Sequence, residues 1–152
     1  MAAAPRHFLS FTDARKNFRC VLDAAHDGVV TTVIRDKERF VVLTADARGG
    51  ELRRLLPSQA VVVPEGGSWA AFIPGVPAHG DAGSFDAAID DLIEALRDYA
   101  EDWNDRLHAA PNHAQHRSLV ELVELSDDDQ LRDWLVGRSD AVKDAARALL
   151  HA

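Results

Sequence analysis

The 152-residue chain is 47% hydrophobic by composition with a formal charge of -8, values of a folded chain and not of a disordered one. No apolar run approaches the roughly 20 residues that span a bilayer, the opening "MAAAPRHFLSF" has no leader-like apolar core, and the single cysteine, Cys20, excludes an internal disulfide. The expectation is a cytoplasmic protein of one ordinary domain or two small ones, with no membrane segment.

"HFLSF" reads as a short strand, and Thr12 as the cap of a helix in which Ala14, Phe18, Val21, Leu22 and Ala25 recur at three- and four-residue spacing. Gly28 ends that helix. The β-branched "VVTTVIR" and "RFVVLT" then pair as a hairpin across a charged turn. "ADARGGELRRLLP" predicts a short helix broken at Gly49-Gly50, and Pro57 closes the segment. In "QAVVVPEGGSWAAFIP" two apolar strands flank Glu65-Gly66-Gly67, a second hairpin, and "GVPAHGDAGS" has the composition of a loop. Ser84 caps the longest helix, whose face of Phe85, Ile89, Leu92, Ile93, Leu96, Tyr99, Trp103 and Leu107 is apolar. "HAAPNHAQH" reads as a flexible linker and "SLVELVEL" as a strand. "SDDDQLRDWLVG" is a capped short helix ending at Gly137, and "SDAVKDAARALLHA" a last one.

Charge divides along the chain. Residues 1–57 hold ten Lys or Arg against seven Asp or Glu, whereas residues 58–152 hold seven against eighteen. A basic front on an acidic body points to two partners of opposite charge. In the first helix Arg15 and Arg19 lie four residues apart on one face, with Lys16 beside them. Such a helix, its apolar side anchored, can reach phosphates and base edges; Arg35, Lys37 and Arg39 in the next turn, and Arg6 and His7, would add backbone contacts. In the long helix Asp91, Glu94, Asp98 and Asp102 offer a complement to a basic protein, although carboxylates on an amphipathic helix commonly do no more than solvate it.

Over Phe8 to Asp46, the order Thr12, Asp13, Ala14, Arg15, Asn17, Phe18 and Leu22, followed by Gly28 and Arg35, resembles the N-terminal domain of Phd/YefM antitoxins. The resemblance implies a homodimer, or a higher even oligomer, with a shared antiparallel sheet that binds operator DNA through Thr12, Arg15, Lys16, Arg19, Arg35 and Lys37. Where that family has a Gly-Lys-Pro turn, this chain has Lys37-Glu38-Arg39, so a different turn is required. Over Gln59 to Asp105, the order Trp69, Phe72, Pro74, Pro77, Gly83, Ser84, Phe85, Ala88 and Ala95 is similar to HicB-type antitoxins, implying a small α/β layer. The expected fold is therefore α+β: a Phd/YefM-like dimerising domain over residues 1–57 and an acidic HicB-like domain over 58–152 with a hairpin and a long helix. The expected function is that of an antitoxin repressing its own operon and silencing a basic toxin, by implication a ribonuclease.

Catalysis and cofactors are not expected. His108, His113 and His116 lack the further ligands that zinc takes; Cys20 reads as a buried hydrophobe; Asp127, Asp128 and Asp129 read as helix-start charges. The competing readings are a dimeric scaffold that binds no DNA, and a magnesium-dependent nuclease using Glu121. On a strand Glu121 and Glu124 would face opposite sides, which counts against the nuclease.

Overall fold

The computed structural model describes residues 7–137, so Arg6 and the C-terminal "SDAVKDAARALLHA" lie outside the described residues. By its contacts the chain separates into two compact units, one up to Arg48 and one from Gly49 onward. The fold is α+β, with a three-stranded sheet in each unit.

In the first unit β1 (His7–Phe8) pairs parallel with β2 (Thr31–Arg35), which pairs antiparallel with β3 (Glu38–Val42). The crossover that a parallel pair requires is supplied by α1 (Phe11–Lys16) and α2 (Phe18–His26). Two expectations are corrected here. The cap is Ser10, not Thr12: Ser10 Oγ accepts from the Asp13 N–H at 3.0 Å, and Thr12 lies inside the first turn. The single helix is divided at Asn17, whose side-chain amide donates to the Asp13 carbonyl and carboxylate at 3.0 and 3.1 Å, a local bond that competes with helix continuation. The division changes which residues point inward. Ala14 and Val21 are buried with Phe8, and Ala24 and Ala25 are buried in α2, whereas Phe18 and Leu22 stay exposed. The β2–β3 turn uses Asp36 in the left-handed region (φ 57°), which Asp tolerates. No glycine is needed there, and Glu38 falls in β3 opposite Arg35.

Helix α3 (Ala45–Leu55) runs through Gly49-Gly50 without a break. A β-carbon on Gly49 would lie 2.6 Å from the Leu125 carbonyl oxygen, so this glycine permits close packing and does not end the helix. Arg53 Nη1 donates to Ser126 Oγ at 2.6 Å, and Trp134 Nε1 to the Leu56 carbonyl at 2.8 Å.

The second sheet has the order β4 (Val61–Glu65), β5 (Ser68–Phe72), β6 (His79–Ala82), all antiparallel neighbours. Gly66 and Gly67 both take positive φ in the β4–β5 turn, as tight hairpin loops favour. Strand β6 falls in the stretch expected to be loop. It lies directly under α4 (Phe85–Asp105): a β-carbon on Gly80 would meet the Ala88 carbonyl oxygen and the Leu92 nitrogen well inside contact distance. As expected, Ser84 caps α4, accepting from the Ala87 N–H at 3.2 Å, and Ile89, Leu92, Ile93, Leu96, Tyr99 and Trp103 are buried. The segment read as a strand, "SLVELVEL", is instead α5 (Arg117–Glu124), burying Val120, Leu122 and Val123; eight residues suit either period, and packing on α4 decides. Helix α6 (Asp128–Leu135) opens with a capping box between Asp127 and Gln130 and buries Leu131 and Leu135 in the same core.

Placing a methyl group at Gly80 forces the strand off the helix backbone. Gly80→Ala is expected to lower stability by about 1–3 kcal/mol, read as the shift in urea midpoint at unchanged slope; a wild-type midpoint would show that β6 does not need this approach.

Candidate functional site

The basic residues expected to meet DNA fall in two places within the first unit. Thr12, Arg15 and Lys16 are on α1, and Arg19 begins α2 across the Asn17 break. Arg15 and Arg19 therefore do not share one continuous helix. All four are exposed, and Arg19 makes only a solvent-exposed pair with Asp23 at 4.0 Å, worth little in water. Arg35 and Lys37 are on the β2–β3 hairpin, where the Arg35 guanidinium stands over the Phe40 ring at 5.9 Å. His7 is engaged by the chain itself, its Nδ1 hydrogen-bonded to Thr32 Oγ1 at 2.7 Å.

The same unit exposes much apolar surface. Leu9, Phe11, Phe18, Leu22, Val29, Val30, Phe40, Val41 and Leu43 are all classed as exposed, against a buried cluster of Phe8, Ala14 and Val21. A soluble monomer rarely leaves that much large apolar surface uncovered.

In the second unit the candidate residues lie along α4. At about 100° per residue, Asp91, Glu94, Asp98, Glu101, Asp102 and Asp105 occupy one stripe opposite the buried face, and all six are exposed. Their neighbours differ. Asp91 Oδ2 accepts from the Asp81 backbone N–H at 2.8 Å, tying β6 to the helix. Asp102 pairs with Arg106 at 3.3 Å. On the next flank Arg132 pairs with Asp86 at 3.7 Å and with Asp90. Glu94 and Asp98 are the two expected residues turned to solvent with their carboxylates foremost. Sequence reasoning missed Arg97, which donates to the Val123 and Ser126 carbonyls at 2.7 and 2.9 Å and to Asp128. Its partners are unrelated in sequence, so no spacing pointed to it.

"HAAPNHAQH" is not the flexible linker expected. It forms two short 3-10 turns, Leu107–Ala109 and Ala114–His116, tied to α4. Trp103 Nε1 donates to the His113 carbonyl at 2.9 Å, and the Tyr99 hydroxyl and His113 Nδ1 share a hydrogen bond of 2.8 Å. Burial, with His113 nearby, holds the His116 imidazole below the usual histidine range, and burial raises the Tyr99 phenol. Among the described residues no group of three or more His, Cys, Asp or Glu is placed to hold a metal. Because α5 is a helix, Glu121 and Glu124 are on one side, lining an open cleft of about 490 Å³ with Trp103, Asn104, His108 and Arg117; Asn104 Nδ2 donates to Glu124 at 2.8 Å.

The role of Asp91 is read by two substitutions. Asp91→Ala removes the acceptor of the Asp81 N–H and is expected to cost about 1 kcal/mol, whereas Asp91→Asn keeps an acceptor oxygen and most of the stability. Equal midpoints for the two variants would leave this bond without a structural role.

Against this geometry, the family described as "PHD_like: Antitoxin of toxin-antitoxin, RelE / RelB, TA system" matches residues 6–137. A comparison with curated proteins finds no match. Among solved structures, an antitoxin part of a proposed toxin/antitoxin system from Syntrophomonas wolfei subsp. wolfei superposes with a TM-score of 0.72 at 22% identity, covering 86% of this chain and 96% of that one. At that identity the likeness speaks for the fold. No helix among the described residues is long and apolar enough to cross a membrane.

Proposed function

The chain belongs to the PHD_like family of toxin–antitoxin antitoxins, and from that premise we propose a two-part antitoxin: a Phd/YefM-like dimer that binds operator DNA, and a HicB-like part whose α4 covers a basic toxin. The observation that carries the toxin half is the α4 stripe. Glu94, Asp98, Glu101 and Asp105 repeat at three- and four-residue intervals, and like charges so spaced destabilise a helix by about 0.2–0.5 kcal/mol per pair. A basic surface relieves that repulsion. A ribonuclease is the toxin class this fits, because its substrate is itself a polyanion and the stripe would compete for the same cations.

The DNA half is supported by the exposure of Thr12, Arg15, Lys16, Arg19, Arg35 and Lys37. The homodimer is supported by the uncovered apolar residues of the same unit, which a second copy would bury. Arg35, braced on Phe40, gives the hairpin a cation whose position is partly set before DNA arrives.

Titration of the full chain against its own upstream DNA and a scrambled duplex over a salt series tests the repressor half. Binding that prefers its own sequence and weakens steeply with salt is expected, and Arg15→Ala should reduce the salt slope by about 1 if Arg15 meets a phosphate. Failure to bind either duplex favours the scaffold, in which the first unit only dimerises. For the toxin half, the neighbouring reading frame is expected to encode a small basic protein, and Glu94→Gln with Asp98→Asn should slow association with it by roughly tenfold at low salt, while leaving the fold at least as stable. Unchanged association would remove α4 from the interface.

A further inference from the structure

The turns between α4 and α5 carry more chemistry than a connection needs. His113 and His116 stand with ring centroids 6.3 Å apart, and each ring lies 5.9 Å from the ring of Tyr99. Tyr99 is itself buried in the face of α4. Three hydrogen bonds hold this segment: Tyr99 hydroxyl with His113 Nδ1 at 2.8 Å, Trp103 Nε1 to the His113 carbonyl at 2.9 Å, and His108 Nδ1 with the Trp103 carbonyl at 3.2 Å. The His108 ring also lies 5.9 Å from that of Trp103. The Gly75 backbone, in the β5–β6 loop, is among the groups that act on the His116 ring and favours its charged form.

We propose that the segment from Leu107 to His116 is a proton-sensitive latch: His113 and His116, set together over Tyr99, hold it on α4 while His116 is neutral and release it when His116 takes up a proton. The charge logic follows from the groups around them. Facing His116 are His113 from its own turn, Tyr99 from α4 and the Gly75 backbone from the β5–β6 loop, and among the described residues no carboxylate acts on its charge. Positive charge on the two rings at that separation is mutually repulsive, which disfavours a proton on His116. The Tyr99 hydroxyl and His113 Nδ1 share their hydrogen bond in a direction set by the His113 tautomer, so a change in this ring's protons alters the bond that ties the segment to α4. Burial and His113 disfavour charge on His116, the Gly75 backbone opposes them, and the net direction is downward. The folded chain thus binds this proton less readily than the unfolded chain. The stabilising contribution is complete above the ordinary histidine value near 6.5 and is lost as pH falls below it.

The latch stands apart from the antitoxin reading, since it needs neither DNA nor toxin. Its test is proton–nitrogen NMR of the full chain from pH 7.5 to 5, following the Trp103 indole N–H, which is assigned by its loss in Trp103→Phe. The expected result is an indole shift that tracks the His116 titration, with amides of residues 107–116 losing at least tenfold in exchange protection after correction for intrinsic rates, while α6 keeps its own. In His113→Asn with His116→Asn this dependence disappears. An indole signal and segment protection that hold constant across the range would overturn the latch, as would the same pH response in the double variant. If that variant does not fold, His116→Gln alone is expected to blunt the response, and an undiminished response overturns the proposal equally.

Discussion

The close approach of strand β6 to helix α4 is the contact on which the second unit depends. Backbone meets backbone at Gly80, against Ala88 and Leu92, and no side chain larger than hydrogen fits between them. With the strand this near, the Asp81 N–H can reach the Asp91 carboxylate, and Ala71 of the central strand is wholly buried under the helix. Ser84 fixes where the helix begins, and the apolar face is buried from Ala88 to Trp103, with Phe85 at its start left exposed.

Because the inward face of α4 is used up in this way, its other side has only charge to present. Some of that charge is consumed by the fold: Asp91 by β6, Asp86 and Asp90 by Arg132, Asp102 by Arg106. Together with Glu101 and Asp105 farther along, the exposed Glu94 and Asp98 are what the helix offers outward. Arg97, on the helix between those two, turns the other way and holds the end of α5 and the start of α6 through two backbone carbonyls and Asp128. One cation thus organises the packing while its neighbours keep the surface acidic.

The first unit balances differently. Its buried cluster is small, and large apolar side chains remain exposed on both helices and on β3. The basic residues sit on short elements: two helices divided by Asn17, and a hairpin turned through Asp36. Short elements held at their ends fix charges in place without a large core beneath them.

By itself the sequence determined the α+β class, both hairpins, the Ser84 cap, the buried face of α4 and the charge division between the two parts. These are local properties: a turn glycine pair, a cap followed by a stripe of period 3.6, a run of carboxylates. Only the tertiary structure decided the rest. Eight residues of "SLVELVEL" satisfy both periods until α4 packs against them as a helix. Gly49-Gly50 reads as a break until Leu125 stands where a β-carbon would be, and "HGDA" reads as loop until β5 pairs with it. Phe18 and Leu22 count as core until Asn17 divides the helix and turns them outward. Each depended on a neighbour distant in the chain or on a side-chain bond that competes with the helix, and hydrophobic periodicity registers neither.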